Sequence, residues 1–585
     1  MQVKADFAAN RRLLRISALA IAIGALCGVI ALILLKLIAL FTNLFFHLRF
    51  SFAPAEPTTS VLGVWTILVP VAGGLIIGVM AYFGSEKIRG HGIPEALESI
   101  LFGRSRMDPK VAVLKPLSSA ISIGSGGPFG AEGPIIMTGG AFGSLVAQAF
   151  NLTSAERKTL LVAGAAAGMS ATFATPVAAA LLAVELLLFE WKPRSLVPVA
   201  LASAVAAALR PLLLGTGPLF PAPGHAPLQA AGLLMAILAG GLAGVVAWLL
   251  TSAVYGWEDL FHKLPIHWAW WPAIGGLLVG IGGYFEPRAM GVGYSVIGDL
   301  LAGRLLLAAV LALIVVKGLI WSAALGSGTS GGVLAPLLMV GAALGAVLSQ
   351  VLPAGAPEVW PLVCMAAVMA GVMRAPFTAI VFAFELTHDV NALPPLLIAC
   401  TVAYLVSVLW LKRSILTEKI ARRGYHILCE YSVDPLERVY VEDVMTRDVA
   451  TVPAALPVRE LIQQYFGGRQ QYRGYPVVDG GGRLLGIVTQ DDLIEYTSGG
   501  EPPELPVGEV VARDQPVAYP HELCREVAAR MVRHKLERLP VLASEAAGEL
   551  VGIVTRSDLL KPASQYYEQE ELRERIKWWS GKPAA

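Results

Sequence analysis

The chain has 585 residues, 55% of them hydrophobic and only 15% charged, with a mean hydropathy of +0.64. A soluble globular protein carries about 25% charged residues, so most of this chain is not built for water, and a net charge of +2 excludes a large polyanionic partner such as nucleic acid. Charges are sparse from Arg15 to about Trp410 and return to soluble density from Lys412, which divides the chain into a membrane domain, residues 1–425, and a soluble remainder. The five cysteines (Cys27, Cys364, Cys400, Cys429 and Cys524) have no paired spacing, so neither a disulfide framework nor a metal centre is expected.

In chain order, Lys4, Arg11, Arg12 and Arg15 precede an apolar run from Ile16 to Phe46. That run is longer than the apolar core of a secretory signal, about 7–15 residues. It reads as a tilted membrane helix with its basic flank in the cytoplasm. Segments 61–83, 196–215, 228–254, 269–284, 305–325, 334–352 and 393–411 are also long enough to cross alone. Segments 93–103, 111–126, 134–150, 159–173, 176–189, 360–373 and 376–386 are short or broken by Gly and Pro. Broken helices at membrane depth are tolerated only where their free backbone groups face protein or a cavity, which points to a transporter or channel core.

The membrane part repeats. Pro134-Ile135-Ile136-Met137 with Gly139 and Gly143 matches Pro336-Leu337-Leu338-Met339 with Gly341 and Gly345 at an offset of 202. Thr175-Pro176, Ala179, Ala183, Glu185 and Leu186 match Ala375-Pro376, Ala379, Ala383, Glu385 and Leu386 at an offset of 200. Repeated halves with broken helices place a binding site at the interface between them. The soluble part repeats as well: Gly486-Ile487-Val488-Thr489-Gln490-Asp491-Asp492-Leu493 returns as Gly552-Ile553-Val554-Thr555-Arg556-Ser557-Asp558-Leu559, 66 residues on. Two tandem α/β modules are expected, 438–499 and 505–565, followed by a charged tail, 566–585, that reads as a solvated helix over Glu568–Lys577.

Between Pro116 and Ala155 the one charged residue is Glu132, inside the stretch from Gly124 to Pro134 that ends Gly130-Ala131-Glu132-Gly133-Pro134. An ionised carboxylate at bilayer depth costs on the order of 3 kcal/mol. A glycine-rich turn into a helix supplies free N–H groups and the positive end of the helix dipole, an anion site. The Glu132 carboxylate is therefore expected to take the place of a transported anion and to leave it on protonation. The alternative reading is a simple helix cap near the interface. Two further segments share this character: Gly90-His91-Gly92-Ile93-Pro94-Glu95, and Gly326 to Pro336, the latter containing Val333 and Leu334.

These three segments resemble the three signatures of the CLC family of chloride channels and chloride/proton exchangers, and Gly-Ile-Val-Thr-x-x-Asp resembles CBS modules. The resemblance implies a polytopic helical fold with two inverted halves, and a homodimer with one anion pathway in each subunit. It implies Glu132 as gating glutamate, with His91, Gly92, Ile93, Gly130, Gly133, Val333, Leu334 and Leu416 around the anion. His91 stands where the family has serine, and Ala131 where it has Lys or Arg. Leu186 occupies the position of the proton-transfer glutamate of exchangers, with Glu190 nearby, and Leu416 that of the inner tyrosine. These departures lean towards a channel or a poorly coupled transporter and leave chloride, nitrate, fluoride and bicarbonate open as cargo, with a proton-coupled antiporter as the alternative.

For the soluble pair, Thr489 with Asp492 and Thr555 with Asp558 have the spacing for an adenine nucleotide, ribose on carboxylate and phosphate near Thr, with Lys535, Arg538 and Arg556 as counter-charges. A plain dimerisation pad is the other reading. No cofactor is required. A membrane sensor that does not conduct is the competing class, and no nucleophile–base pair suggests an enzyme.

Overall fold

The computed structural model describes residues 11–221, 225–352, 357–427, 436, 439–467, 472–498, 502–511, 515–544, 548–571 and 573–574. Lys4, Cys429 and the tail beyond Glu574 lie outside them. The chain forms two units, Met1–Tyr431 with Leu572–Ala585, and Ser432–Glu571.

The first unit opens with α1 (Arg12–His47) and α2 (Val69–Phe83), then the short α3 (Ile93–Leu101). The first repeat continues with α4 (Pro109–Gly124), α5 (Glu132–Gln148), α6 (Ser154–Phe173), α7 (Pro176–Leu182, running on as a π turn to Leu188) and α8 (Pro193–Leu213). After α9 (Ala230–His262) and α10 (Trp271–Phe285) the order recurs: α11 (Tyr294–Leu301), α12 (Leu307–Gly326), α13 (Leu334–Leu348), α14 (Val359–Met373), α15 (Pro376–Thr387), α16 (Leu393–Trp410) and α17 (Ile415–Arg422). Six helical stretches among the described residues are long and apolar enough to cross a membrane. Two segments expected to cross alone do not qualify. Segments 269–284 and 334–352 give helices of 15 residues, about 22 Å at 1.5 Å per residue. A 3₁₀ turn at Trp268–Trp270 uses up the start of the first.

Small residues let the helices of each repeat touch backbone to backbone. A Cβ on Gly139 of α5 would lie 2.3 Å from the Gly164 carbonyl oxygen of α6, and one on Gly164 would lie 2.1 Å from that of Gly139. One turn on, a Cβ on Gly143 would meet Leu160 O at 2.3 Å, and its repeat equivalent between α13 and α14, Gly345, would meet Trp360 O at 2.1 Å.

The halves are inverted. Gly130 and Gly332, equivalent at the offset of 202, pair antiparallel with each other. An axis between them therefore reverses the chain direction of one half relative to the other. Contacts obey the same symmetry. Glu185 in the π turn accepts from Phe377 N at 3.2 Å and Thr378 N at 2.7 Å, capping α15. Glu385 of α15 accepts from Val177 N at 2.9 Å and Ala178 N at 2.8 Å, capping α7.

The second unit has two cores. A three-stranded sheet β2-β3-β4 (Val452–Pro453, Gly474–Val478, Leu484–Thr489) packs with α19 (Val458–Tyr465) and α20 (Gln490–Ser498). The pair β5-β6 (Arg538–Leu542, Leu550–Thr555) packs with α22 (Cys524–Arg533) and the start of α23 (Arg556–Glu571). The leading turns are exchanged. Val441 and Val444 of α18 (Val441–Val444) sit in the second core, whereas Val507 of α21 (Val507–Val510) sits in the first. The charged tail departs from its expected form. The helix stops at Glu571, and Arg573–Glu574 (β7) pair antiparallel with Leu152–Thr153 (β1) of the membrane unit.

Candidate anion pathway

Glu132 begins α5, and its side chain crosses to the other repeat. Its Oε1 accepts from Ala335 N at 3.0 Å in the first turn of α13, and the Leu334 amide adds to that contact. Ala335 directly follows the Val333–Leu334 pair whose amides are expected around the anion. The carboxylate is wholly buried, and its Oε2 has no hydrogen-bond partner among the described residues. Gly130 and Gly332 make the space. A Cβ on Gly130 would fall 1.8 Å from Glu132 Oε2, and one on Gly332 would fall 2.6 Å from Oε1. A carboxylate on the exposed amides of a helix N-terminus, with one oxygen unpaired, sits where those amides would hold a free anion.

The first motif behaves differently from its sequence reading. The Gly92 amide is not free: it donates to Glu95 Oε2 at 3.1 Å. Glu95 is itself buried, 2.8 Å from Lys419 and 2.9 Å from Arg423. Lys419 of α17 and Arg423 just beyond its end hold the carboxylate, and the carboxylate caps α3. His91, also buried, is the polar group left over, since its Nδ1 has no partner among the described residues. It borders a cavity of about 510 Å³ with Lys87, Arg89, Lys419, Arg422 and Arg423, tempered by Glu86, Glu98 and Glu258. Tyr255 Oη donates to Ile415 O at 2.5 Å and so pins the start of α17, with Arg422 stacked 4.7 Å over its ring.

Ile93 and Gly133 are buried at the two helix starts, and a Cβ on Gly133 would meet the His91 carbonyl oxygen at 2.1 Å. Leu416, buried at the start of α17, lines with Leu186 and Glu185 a cavity of about 590 Å³. Glu190, the other carboxylate near Leu186, accepts from Ser195 Oγ at 2.5 Å and lies 3.5 Å from Lys192 Nζ.

Two buried lysines escaped the sequence reading. Lys115 Nζ donates to Ile88 O at 2.8 Å, Gly90 O at 2.7 Å and Ser330 Oγ at 3.0 Å. Lys317 Nζ donates to Ala289 O at 2.9 Å and Gly291 O at 3.1 Å. They are equivalent at the offset of 202, and Gly90-x-Gly92 is matched by Gly291-x-Gly293. The signal was available: each is a lone charge within an apolar segment, at equivalent places in the repeat.

In the second unit, Thr489 Oγ1 donates to Asp492 Oδ2 at 2.7 Å, and Thr555 Oγ1 to Asp558 Oδ2 at 2.7 Å. The Thr489 and Thr555 amides reach the same carboxylates at 2.8 Å. Each Thr-x-x-Asp pair closes on itself at the start of α20 or α23.

Inverted repeats of broken helices, meeting at a helix start whose amide holds a buried carboxylate from the other half, define the architecture of a membrane transport protein. The chain belongs to the voltage-gated chloride channel family, CLC: the family profile described as "Voltage gated chloride channel" matches residues 73–408. The CBS domain profile matches 441–499 and 507–564. A putative chloride channel protein ClcB-like from Ralstonia nicotianae is 30% identical over 362 residues, 60% of this chain and 84% of its own. A voltage-gated ClC-type chloride channel ClcB from Escherichia coli is 30% identical over 351 residues, 58% of this chain and 83% of its own. Among solved structures, a slow cyanobacterial Cl⁻/H⁺ antiporter superposes with a TM-score of 0.63 at 22% identity, covering 71% of this chain and 99% of that one. A CLC-type fluoride/proton antiporter superposes with a TM-score of 0.59 at 21% identity, covering 70% and 98%. These likenesses establish the fold and the class, anion transport across a membrane.

Proposed function

We propose that the protein is a chloride-conducting pathway gated by Glu132, one per subunit of a homodimer, with its N-terminus and CBS pair in the cytoplasm. The observation that carries the reading is the Glu132 carboxylate on the Ala335 amide. While ionised it competes with an anion for the amides of α13. Protonation removes its charge and with it the competition, so flux rises as the pH falls. The first two crossings, α1 and α2, return the chain to the side of the N-terminus, which makes the basic His91 cavity the inner mouth. There the unpaired ring nitrogen of His91 replaces the serine hydroxyl of the family as a donor to the anion.

Leu186 carries no proton, and Glu185 is committed to capping α15. Both support a channel or loosely coupled transporter over tight exchange. The CBS pair is read as a regulatory unit. Its Thr489–Asp492 and Thr555–Asp558 pairs would have to open to receive an adenine nucleotide.

The test is chloride efflux from liposomes containing the purified protein, between about pH 7.5 and about pH 4.5. Wild type is expected to speed up on acidification, and Glu132→Gln to be fast and flat over the range. A variant with unchanged flux and unchanged pH response refutes the gate. A chloride gradient that drives protons uphill refutes the channel reading and leaves antiport. Anion ranking in wild type and His91→Ser decides the cargo.

A further inference from the structure

Helix α17 is the partition between two cavities. Ile415, Lys419 and Arg422 border the His91 cavity, whereas Leu416, Thr417 and Ala421 border the second, of about 590 Å³. The second cavity therefore lies at the same end of the membrane unit, and its size is that of a small-molecule site, about 300–1,000 Å³. Part of its wall is apolar: Leu186 and Phe189 from the π turn and its end, Phe377 from the start of α15 and Val408 from the last turns of α16. Phe377 and Val408 are 60% and 43% exposed, and Leu405 and Leu409 of α16 are exposed as well. This wall opens onto the apolar outer surface of the helices.

The rest of the wall is basic. Arg374, Lys412 and Arg413 border the cavity with His426, against one carboxylate, Glu185. That carboxylate is engaged, by the Phe377 and Thr378 amides and by Thr378 Oγ1. Arg374 takes a left-handed turn after α14, φ 59°, and so does its repeat equivalent, Ala174, φ 61°; the turn alone does not call for a guanidinium. Arg374 Nη2 donates to the carbonyls of Ser407, at 3.0 Å, and Leu411, which fixes the end of α16 at the cavity. Lys412, next in the chain, is exposed and has no ion-pair partner among the described residues. Arg413 reaches Glu418 at 3.4 Å while 44% of its side chain stays exposed, a pairing too weak in water to commit it.

We propose that this cavity binds an anionic phospholipid, with its phosphate on Lys412 and Arg413 and an acyl chain along Leu186, Phe189, Phe377 and Val408. The excess of positive charge calls for an anion. Dissolved chloride or phosphate gains nothing from an apolar wall, whereas a phospholipid matches both parts of the cavity and reaches it without leaving the bilayer. Lys and Arg just beyond the end of a crossing helix also stand at the depth where anionic headgroups lie. Its assignment to the cytoplasmic leaflet rests on the orientation proposed above; the site itself does not rest on conduction.

The test is native mass spectrometry of the full chain released from vesicles of phosphatidylcholine and phosphatidylglycerol in equal amounts. Wild type is expected to keep phosphatidylglycerol in preference to phosphatidylcholine; equal retention of the two overturns the site. Lys412→Gln is expected to weaken retention about fivefold, and Lys412→Gln with Arg413→Gln about thirtyfold, the effect of one and of two charges near a headgroup. Val408→Trp fills the apolar wall, leaves every charge in place and is expected to abolish retention. Lys110→Gln removes an exposed charge of α4 outside the cavity and should change nothing. Weakening by Lys110→Gln as large as that by Lys412→Gln means a general attraction to charged surface, and full retention in Val408→Trp means a headgroup with no chain in the cavity; either overturns the site. Loss of the dimer mass in Val408→Trp, with phosphatidylglycerol still bound, gives the wall to a second subunit and overturns it too. Binding is read by mass, so the answer holds even where liposomes show no chloride flux.

Discussion

At the residue scale, the sequence announces Glu132 because an isolated carboxylate in apolar surroundings needs a reason to exist, and the reason found is the α13 amide. The surrounding glycines are legible only as a class; which atoms they clear space for is a matter of three-dimensional approach. Gly130 is informative here. The three atoms nearest to a Cβ at that position all belong to the Glu132 side chain, at 1.8 to 2.3 Å, and none to backbone. Gly130→Ala is therefore expected to hold the carboxylate off α13 and to flatten the pH response of efflux, as Glu132→Gln does. Efflux that keeps its full acid activation in Gly130→Ala would mean the carboxylate has room to return. At Gly92 a local contact competes with any anion: the glutamate three residues on, Glu95, reaches back to its amide.

At the scale of elements, apolar length located most helices but passed over α11 and α17, each of eight residues. An eight-residue helix is too short to cross and too short to be stable alone; it exists through what it packs on. For α17 that includes the Glu95 ion pairs and Tyr255. The crossed caps set a measurable expectation. Replacing Glu185 or Glu385 with Gln weakens two amide contacts at one helix start, and each is expected to cost about 1–3 kcal/mol. Glu185 also accepts from Thr378 Oγ1 at 2.5 Å, whereas Ala178 offers Glu385 no hydroxyl, so both variants are expected to lower the midpoint of thermal inactivation in detergent, Glu185→Gln by more. A drop in one alone would mark that cap as the only one under strain.

At the scale of the molecule, both repeats were legible because they preserve residue type at constant spacing. The exchange of leading turns in the soluble unit was not, since Val444 and Val510 keep the same offset whichever core receives them. Val441 is buried in the core of the second module. Val441→Ala is thus expected to cost about 2 kcal/mol there and to speed amide exchange across Arg538–Thr555 while sparing Gly474–Thr489. The opposite pattern would return Val441 to the module it precedes in sequence.

The reciprocal glutamates also carry a history. A single ancestral repeat that inserted into the membrane in both orientations could finish its own helix ends by meeting a second copy upside down, with one glutamate serving both contacts. Fusion of two such copies into one chain would preserve that clasp without inventing anything, and would explain why the starts of α7 and α15 are each completed from the opposite half. The two halves, expressed as separate polypeptides, should accordingly find each other before either is sound.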